Sequence, residues 1–347
     1  MADEGHLSFF LEWLDPQSAQ PKPYILHYYG DQTLELVERN TRRTFLKRIY
    51  IPAVTRKDLF IGASLSIYSR QLTVLEAANE YTRQQLQQQS TQASFVVTPR
   101  AYRALGRIVS YIEHTPGLQL LNLLMVQFSS SQLGALKTFF SSPIASLSSE
   151  LLNDVSVVIE ARYSTPNALE EARTQLQQLQ VPVLVVEASL LSNRQLFPSP
   201  SPTTAVLEHC TLCLFRPRVV REGHVGEILE AILAAGFEIS ALKLFHFRMD
   251  DADEFFRVYK GIYRQYQEVL KYMCSGPCIA LEVRGEDVVR QFRELCGPHD
   301  FALAKTLRPA SLRARFGKTT LQNAVHCTDC PEDGVLETQF VFTSLTS

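Results

Sequence analysis

In the segment Asn323-Ala324-Val325-His326-Cys327-Thr328-Asp329 a histidine stands among groups able to orient it. An imidazole becomes a useful nucleophile when one ring nitrogen is held by a hydrogen bond and the other faces the substrate. Asn323, Thr328 and Glu337 are the nearby side chains able to do the holding, and the pattern reads as a phosphate-handling site. A single histidine in a loop is more often an ordinary half-exposed side chain. The flanking sequence therefore has to carry the argument.

Around that segment the chain alternates strand and helix signals. Gly226 to Ala235 has helical periodicity, Glu238 to Phe247 reads as a strand, and Ala252 to Met273 reads as helical. Cys278 to Val283 reads as the next strand, Asp287 to Cys296 as a helix, and Thr338 to Phe342 as a closing strand. The alternation predicts an antiparallel sheet backed by helices. The preceding stretch echoes it. Phe95-Val96-Val97-Thr98-Pro99-Arg100 parallels Leu214-Phe215-Arg216-Pro217-Arg218, and Gly106 to Gln127 parallels Gly226 to Phe247, so the chain carries a diverged internal repeat.

Residues 1–84 differ, with short alternating runs such as Tyr24 to Tyr29 and Ala63 to Tyr68 that predict a small β-rich domain. Gln84 to Gln92 reads as a polar connector, and Ser192 to Thr204, with Pro198, Pro200 and Pro202 at alternate positions, as an extended strap. The expected domains are 1–84, 93–191 and 205–347. Within the first, Arg39, Arg42, Arg43, Lys47, Arg48, Arg56 and Lys57 fall in one stretch without an acidic residue. That stretch is a solvated charged face or a surface for an acidic partner.

The 347 residues carry 34 Lys plus Arg against 36 Asp plus Glu, a net charge of −2 that gives no general reason to expect nucleic acid. Leu118 to Val126 is too short to span a bilayer and the start of the chain lacks a signal-type apolar run, so an intracellular protein without membrane contact is expected. The seven cysteines lie between Cys210 and Cys330, and their odd number favours reduced thiols. Cys210-x-x-Cys213 sits in an apolar run that reads as a buried strand, where cysteine behaves as a small hydrophobe. Cys327-x-x-Cys330 is weighed against zinc in the same way, and no protein-held metal is expected.

The blocks Phe215-Arg216-Pro217-Arg218, Ala235-Gly236-Phe237, Tyr272 to Pro277, Leu312-Arg313-Ala314-Arg315-Phe316-Gly317 and Asn323-x-x-His326 resemble, in that order, the nucleoside diphosphate kinase family. Arg43 to Arg48, Asp58 to Gly62 and Tyr68 to Leu72 resemble the "DM-ten" domain of the family's ciliary branch, which places one such domain before two kinase-like domains. The resemblance implies an α+β chain: a β-rich, pleckstrin-homology-like domain followed by two ferredoxin-like α/β sandwiches.

It also implies roles. His326 would be the phosphate-accepting nucleophile, with Glu337 and Thr328 at its side. Arg293 and Arg313 would clamp phosphate, Asn323 would contact sugar and phosphate, and Phe256 replaces the family's tyrosine. Arg216 stands where the family has a catalytic lysine, Arg218 where it has aspartate, His299 at its threonine, and Cys327 at the glycine after the histidine. A planar guanidinium is a poor substitute for a compact ammonium at a tight site. In the middle repeat Thr98 takes the lysine position and His114 lies far from any comparable segment, with Leu190 to Leu196 where that segment would fall, so that repeat is expected to be a pseudokinase.

The leading expectation is a structural protein of ciliary or flagellar axonemes, a microtubule inner protein in the cytoskeleton whose partners are tubulin and other axonemal proteins. The rival is an active nucleoside diphosphate kinase that passes the γ-phosphate of a nucleoside triphosphate through phospho-His326, with Mg²⁺ arriving on the nucleotide.

Overall fold

The structure, a computed structural model, describes residues 6–15, 20–59, 63–68, 70–89, 91–136, 144–180, 182–187, 196–197, 203–263 and 265–346. The chain folds into two compact units, one of residues 1–90, 246–253 and 259–276 and the other of residues 91–245, 254–258 and 277–347.

The first unit is built on β1 (Leu7–Leu14), β2 (Pro21–Tyr28), β3 (Thr33–Glu38), β4 (Thr44–Tyr50), β5 (Ser64–Ile67) and β6 (Arg70–Ala77). They form one antiparallel sheet in the order β4-β3-β2-β1-β6-β5. Alternate side chains, Phe9 and Leu11, Leu34 and Leu36, Leu65 and Ile67, Leu72 and Val74, point into one core, as the period of a strand requires. The expected polar connector begins instead as a helix, Glu80–Gln89. Its first turn is capped by Asn79, which accepts the Thr82 amide at 2.8 Å, and buried Thr82 accepts the Ser8 amide at 2.7 Å. Glutamine is a good helix former once a cap has fixed the first turn, and polarity alone conceals this. Residues 91 and 92 open the next strand. Most of the expected Pro-rich strap, and residues 190–195 of the Leu190 to Leu196 segment, lie outside the described residues, as do residues 60–62 of the Asp58 to Gly62 block.

The second unit holds β7 (Thr91–Val97), β8 (Leu118–Val126), β9 (Ser156–Tyr163), β10 (Val183–Glu187), β11 (Cys210–Phe215), β12 (Glu238–Phe245), β13 (Cys278–Arg284) and β14 (Val325–Cys327). Its single sheet runs β10-β7-β9-β8-β12-β13-β11-β14. Each half has the ferredoxin-like order, and the second half mirrors the first. The two repeats therefore meet edge to edge at β8 and β12, where Lys243 pairs with Leu124.

Helices reinforce that seam. Leu105–His114 packs on Val225–Ala234 so closely that a Cβ on Gly106 would lie 2.4 Å from the Glu230 amide nitrogen, and one on Gly226 would lie 2.2 Å from that of Ser110. These are equivalent contacts in the two repeats, an approximate twofold built into one chain. Glu113 accepts the amides of Val225 at 3.2 Å and Gly226 at 2.9 Å, so a side chain of the first repeat satisfies donors that the first turn of the second repeat's helix cannot satisfy itself. Tyr102 donates to the Ile239 carbonyl at 3.1 Å and accepts its amide at 2.6 Å. One apolar core runs through both repeats, from Phe95 and Ile108 to Ile228 and Leu281.

Two element readings are corrected. Thr338 to Phe342 is not a strand but the centre of the helix Gly334–Thr343, and the closing strand of the repeat is β14. The β-branched and aromatic run has strand composition, yet its buried residues Thr338, Val341 and Phe342 recur at helical spacing, and packing outweighs propensity. The segment Ala252 to Met273 is likewise not one helix. It is divided into Met249–Phe255, a short turn at Arg257–Tyr259 and Tyr266–Met273.

Candidate functional site

His326 lies on β14, which pairs with β11 so that Leu214 is opposite His326 and Cys213 opposite Cys327. The ring is almost completely buried, with 3% of the side chain exposed. Glu337 reaches it from the helix Gly334–Thr343, its Oε2 lying 3.0 Å from His326 Nε2. Gly334 makes that reach workable. A Cβ there would lie 2.3 Å from the Cys210 carbonyl oxygen, so only glycine lets the helix start against β11. Thr328 donates to the same Glu337 oxygen at 2.9 Å and accepts the Leu212 amide at 3.1 Å, fixing the carboxylate to the sheet.

The carboxylate thus holds the imidazole through Nε2 and fixes its orientation. Phe255 and Phe256 present to the imidazole at interplanar angles of 77° and 82°, with centroids 5.4 and 5.7 Å away. Phe256, at the family's tyrosine position, thus packs beside the histidine. Phe255 is not singled out by the sequence.

Three arginines anchor to the histidine strand and the segments flanking it, through the Val325, Thr328 and Leu321 carbonyls. Arg313 is buried and donates to the Val325 carbonyl at 3.2 Å, the Gly297 carbonyl at 2.8 Å and the Cys327 sulfur at 3.4 Å. Arg216, at the family's lysine position, is fully buried and donates to the Leu321 carbonyl at 3.0 Å. Arg293 sits at the rim, paired with Asp329. Arg218 is spent on structure: it pairs with Glu222 at 2.5 Å and donates to the Phe316 carbonyl.

Asn323 is buried, donating to the His299 carbonyl at 2.8 Å while its own oxygen accepts the Ala324 amide at 2.9 Å. Its side chain thus ties the His299 loop to the histidine strand. Burial, and then the charges of Arg216, Arg313 and His326, push the His299 imidazole down to about 4, so it is neutral at neutral pH. It can accept or donate one hydrogen bond there, but it adds no cation.

The middle repeat offers no matching arrangement at the positions named for it. Thr98 is buried and donates to the Pro182 carbonyl at 3.0 Å, while His114 sits at a helix end against the Ser110 carbonyl at 2.7 Å.

The basic stretch divides in the first unit. Arg39 stacks over the Phe10 ring, Arg48 pairs with Asp31 at 2.7 Å and stacks over Tyr29, and Arg56 donates to Gln85 at 3.3 Å. Arg42, Arg43 and Lys47 project from the exposed end of the sheet, on or next to edge strand β4, where Phe45 and Tyr50 are 46% and 55% exposed. The Lys57 side chain lies outside the described residues.

A buried histidine held by a carboxylate thus sits on a ferredoxin-like sheet, beside arginines anchored to its own strand and loops. The chain belongs to the nucleoside diphosphate kinase family. The family model for "Nucleoside diphosphate kinase" matches residues 209–346. "Nucleoside diphosphate kinase homolog 7" of Rattus norvegicus is 33% identical over 365 residues, covering 96% of this chain and 92% of that protein, and its Mus musculus counterpart is 33% identical over 370 residues at the same coverage. The nucleoside diphosphate kinase of Aquifex aeolicus is 38% identical over 135 residues, 39% of this chain and 94% of that one. A crystal structure of the Aquifex enzyme aligns at 37% identity and a TM-score of 0.38, over 40% of this chain and 97% of its own.

Proposed function

We propose that the C-terminal repeat is a phosphohistidine site of the nucleoside diphosphate kinase type, working at reduced turnover. The observation that supports this reading is the Glu337 to His326 Nε2 hydrogen bond of 3.0 Å, which fixes the orientation of the imidazole. In the reaction Nδ1 attacks the γ-phosphorus, the bond to the β-phosphate oxygen breaks, and a nucleoside diphosphate leaves. A second diphosphate then takes the phosphoryl group from the histidine. Splitting one transfer into two is covalent catalysis.

Charge on the transferring oxygens has to be met by cations, and Arg313, Arg216 and Arg293 are the groups within this site that carry it. The acidic side chains are committed, Glu337 to His326 and Asp329 to Arg293, so Mg²⁺ enters on the phosphates of the nucleotide. Arg216 is the weak point, since its guanidinium is held by the Leu321 carbonyl and replaces a mobile ammonium. The test is labelling of the full chain with γ-labelled nucleoside triphosphate. Acid-labile label on His326 that is lost in His326→Ala supports the reading, and label persisting in that variant sinks it.

A second reading concerns the assembly, and the exposed cluster of Arg42, Arg43 and Lys47 favours it. The chain serves as a structural component of ciliary or flagellar doublet microtubules, with its β-rich, pleckstrin-homology-like domain against an acidic surface of tubulin or an axonemal neighbour. The silent middle repeat then acts as the built-in partner of the catalytic one.

A further inference from the structure

The helix Gly334–Thr343, which carries Glu337, is held at both ends. Its first turn lies against the Cys210 carbonyl on β11. Its last turn meets Lys243 of β12, whose Nζ donates to the Val341 carbonyl at 2.5 Å. The ammonium stands 5.4 Å from the Phe342 ring centroid and 5.7 Å from that of Phe245, and Lys243 is buried. A cation at a helix C-terminus meets carbonyls that the helix leaves unpaired, and aromatic faces beside it add to the attraction. A buried ammonium is otherwise costly, so what it binds has to hold it there.

We propose that Lys243 is a positioning residue of the phosphohistidine site, anchoring the end of the helix whose Glu337 orients His326. The proposal rests on the phosphohistidine reading above, and the lysine acts through the helix. Val341 stands one turn beyond Glu337, about 6 Å along the axis. The same helix places the Phe340 ring 5.6 Å from that of Phe255, which in turn stands 5.4 Å from the His326 ring. The anchored helix therefore sets two neighbours of the imidazole, the carboxylate on Nε2 and the aromatic ring beside it. A helix pinned only at its glycine end is free to pivot, and a small misplacement of an orienting group slows a step that depends on aim.

The anchor is charged at neutral pH and loses its charge not far above it. Burial lowers the Lys243 amine to about 8. The groups facing it, Phe245 on its own strand, Val341 and Phe342 on the helix, and Leu124 and Ala280 paired with it on β8 and β13, carry no charge. A neutral amine is the weaker donor to a carbonyl. The effect on stability has the opposite sign. The folded value of about 8 lies below the ordinary 10.5, so between them the unfolded chain binds more protons and this lysine's contribution to stability rises with pH. A labelling rate that falls with this titration is therefore a loss of aim and not of fold.

The experiment follows single-turnover labelling of His326 by γ-labelled triphosphate in the full chain from about pH 7 to about pH 9.5, with the melting temperature at each pH. The wild-type rate is expected to fall about tenfold, with its midpoint near 8. Lys243→Met keeps the length of the side chain without the charge, and is expected to label about tenfold more slowly at neutral pH and to lack the step. Lys243→Arg, charged throughout, also lacks the step but keeps the faster rate. A wild-type profile without the step, a step that persists in either variant, or a Met variant as fast as the wild type at neutral pH overturns the proposal. Where Lys243→Met does not fold, the Arg variant against the wild type decides. Hydrogen exchange at neutral pH gives a readout without nucleotide: amides of Gly334–Thr343 are expected to exchange about tenfold faster in the Met variant while those of β11 and β13 are unchanged. Equal exchange in the helix overturns the anchor. A wild-type protein that takes no label at any pH overturns the phosphohistidine reading, and the exchange still decides the anchor.

Discussion

Glu337 Oε2 holds His326 Nε2 at 3.0 Å and accepts the Thr328 hydroxyl at 2.9 Å, so one carboxylate oxygen joins the ring to the sheet. The ring is oriented by a helix that starts at a glycine, and under the proposed reaction the carboxylate would offset the charge that grows on the imidazole.

Replacing Glu337 with Gln keeps the shape and removes the charge. The rate of His326 labelling is expected to fall about a hundredfold while the melting temperature changes little. A single-turnover assay checks this. Unchanged labelling would mean that the hydrogen bond is only structural.

Arg216→Lys restores a compact ammonium at the family's lysine position. Losing one preorganised donor costs roughly 2 to 4 kcal/mol, so the substitution is expected to raise turnover about tenfold or more. An unaltered rate at unaltered nucleotide affinity would shift the blame to another departure, such as Cys327.

Gly226 is the tightest point between the repeats. A Cβ there meets the Ser110 backbone at 2.2 Å, and Gly226→Val is expected to destabilise the second unit by about 3 kcal/mol, read as a lower melting temperature. Gly134→Ala is the control, because nothing lies within 4 Å of its Cβ. Equal melting temperatures in the two variants would contradict the close helix contact.

His299 makes the fold acid-sensitive. Its folded value of about 4 lies below the ordinary 6.5, so between those values the unfolded chain binds more protons and stability falls as the pH falls. The loss amounts to about 3 kcal/mol at most. In His299→Gln the decline in denaturation midpoint from pH 6.5 to 4 should be shallower, and a parallel decline would show that other groups dominate.

Reversing Arg42, Arg43 and Lys47 to Glu should release the protein from isolated axonemes while His326 labelling stays intact. The attraction is screened over about 8 Å at physiological salt, so wild-type retention should weaken as salt rises further. Retention of the triple variant at wild-type levels would mean that these side chains are merely solvated.

Much of the fold was legible because it follows from local periodicity. The strands at Cys210, Glu238 and Cys278 are short, nearly continuous buried runs, and the helices after Gly226 and Asp287 repeat their apolar residues at helical spacing. The echo of Gly106 to Gln127 in Gly226 to Phe247 likewise exposed the duplication. The order of motif blocks also named His326, Glu337 and the arginines, since nucleophile, orienting carboxylate and cations are set by residue type.

Other features depended on tertiary contacts between residues distant in sequence. Thr338 to Phe342 has the composition of a strand and became a helix because Gly334 seats its first turn on the Cys210 carbonyl. The pairing of the two repeats is carried by Tyr102 on Ile239 and Glu113 on Val225 and Gly226, contacts that no local pattern encodes. Arg313 and Cys327 have no telling spacing, and only packing against β14 sets the guanidinium on the Val325 carbonyl and the Cys327 sulfur. Sequence determines what each segment can bury and which chemistry its side chains carry. Which side chains meet is decided by the closing of the sheet, because a hydrogen bond exists only where the packed core holds donor and acceptor within reach of each other.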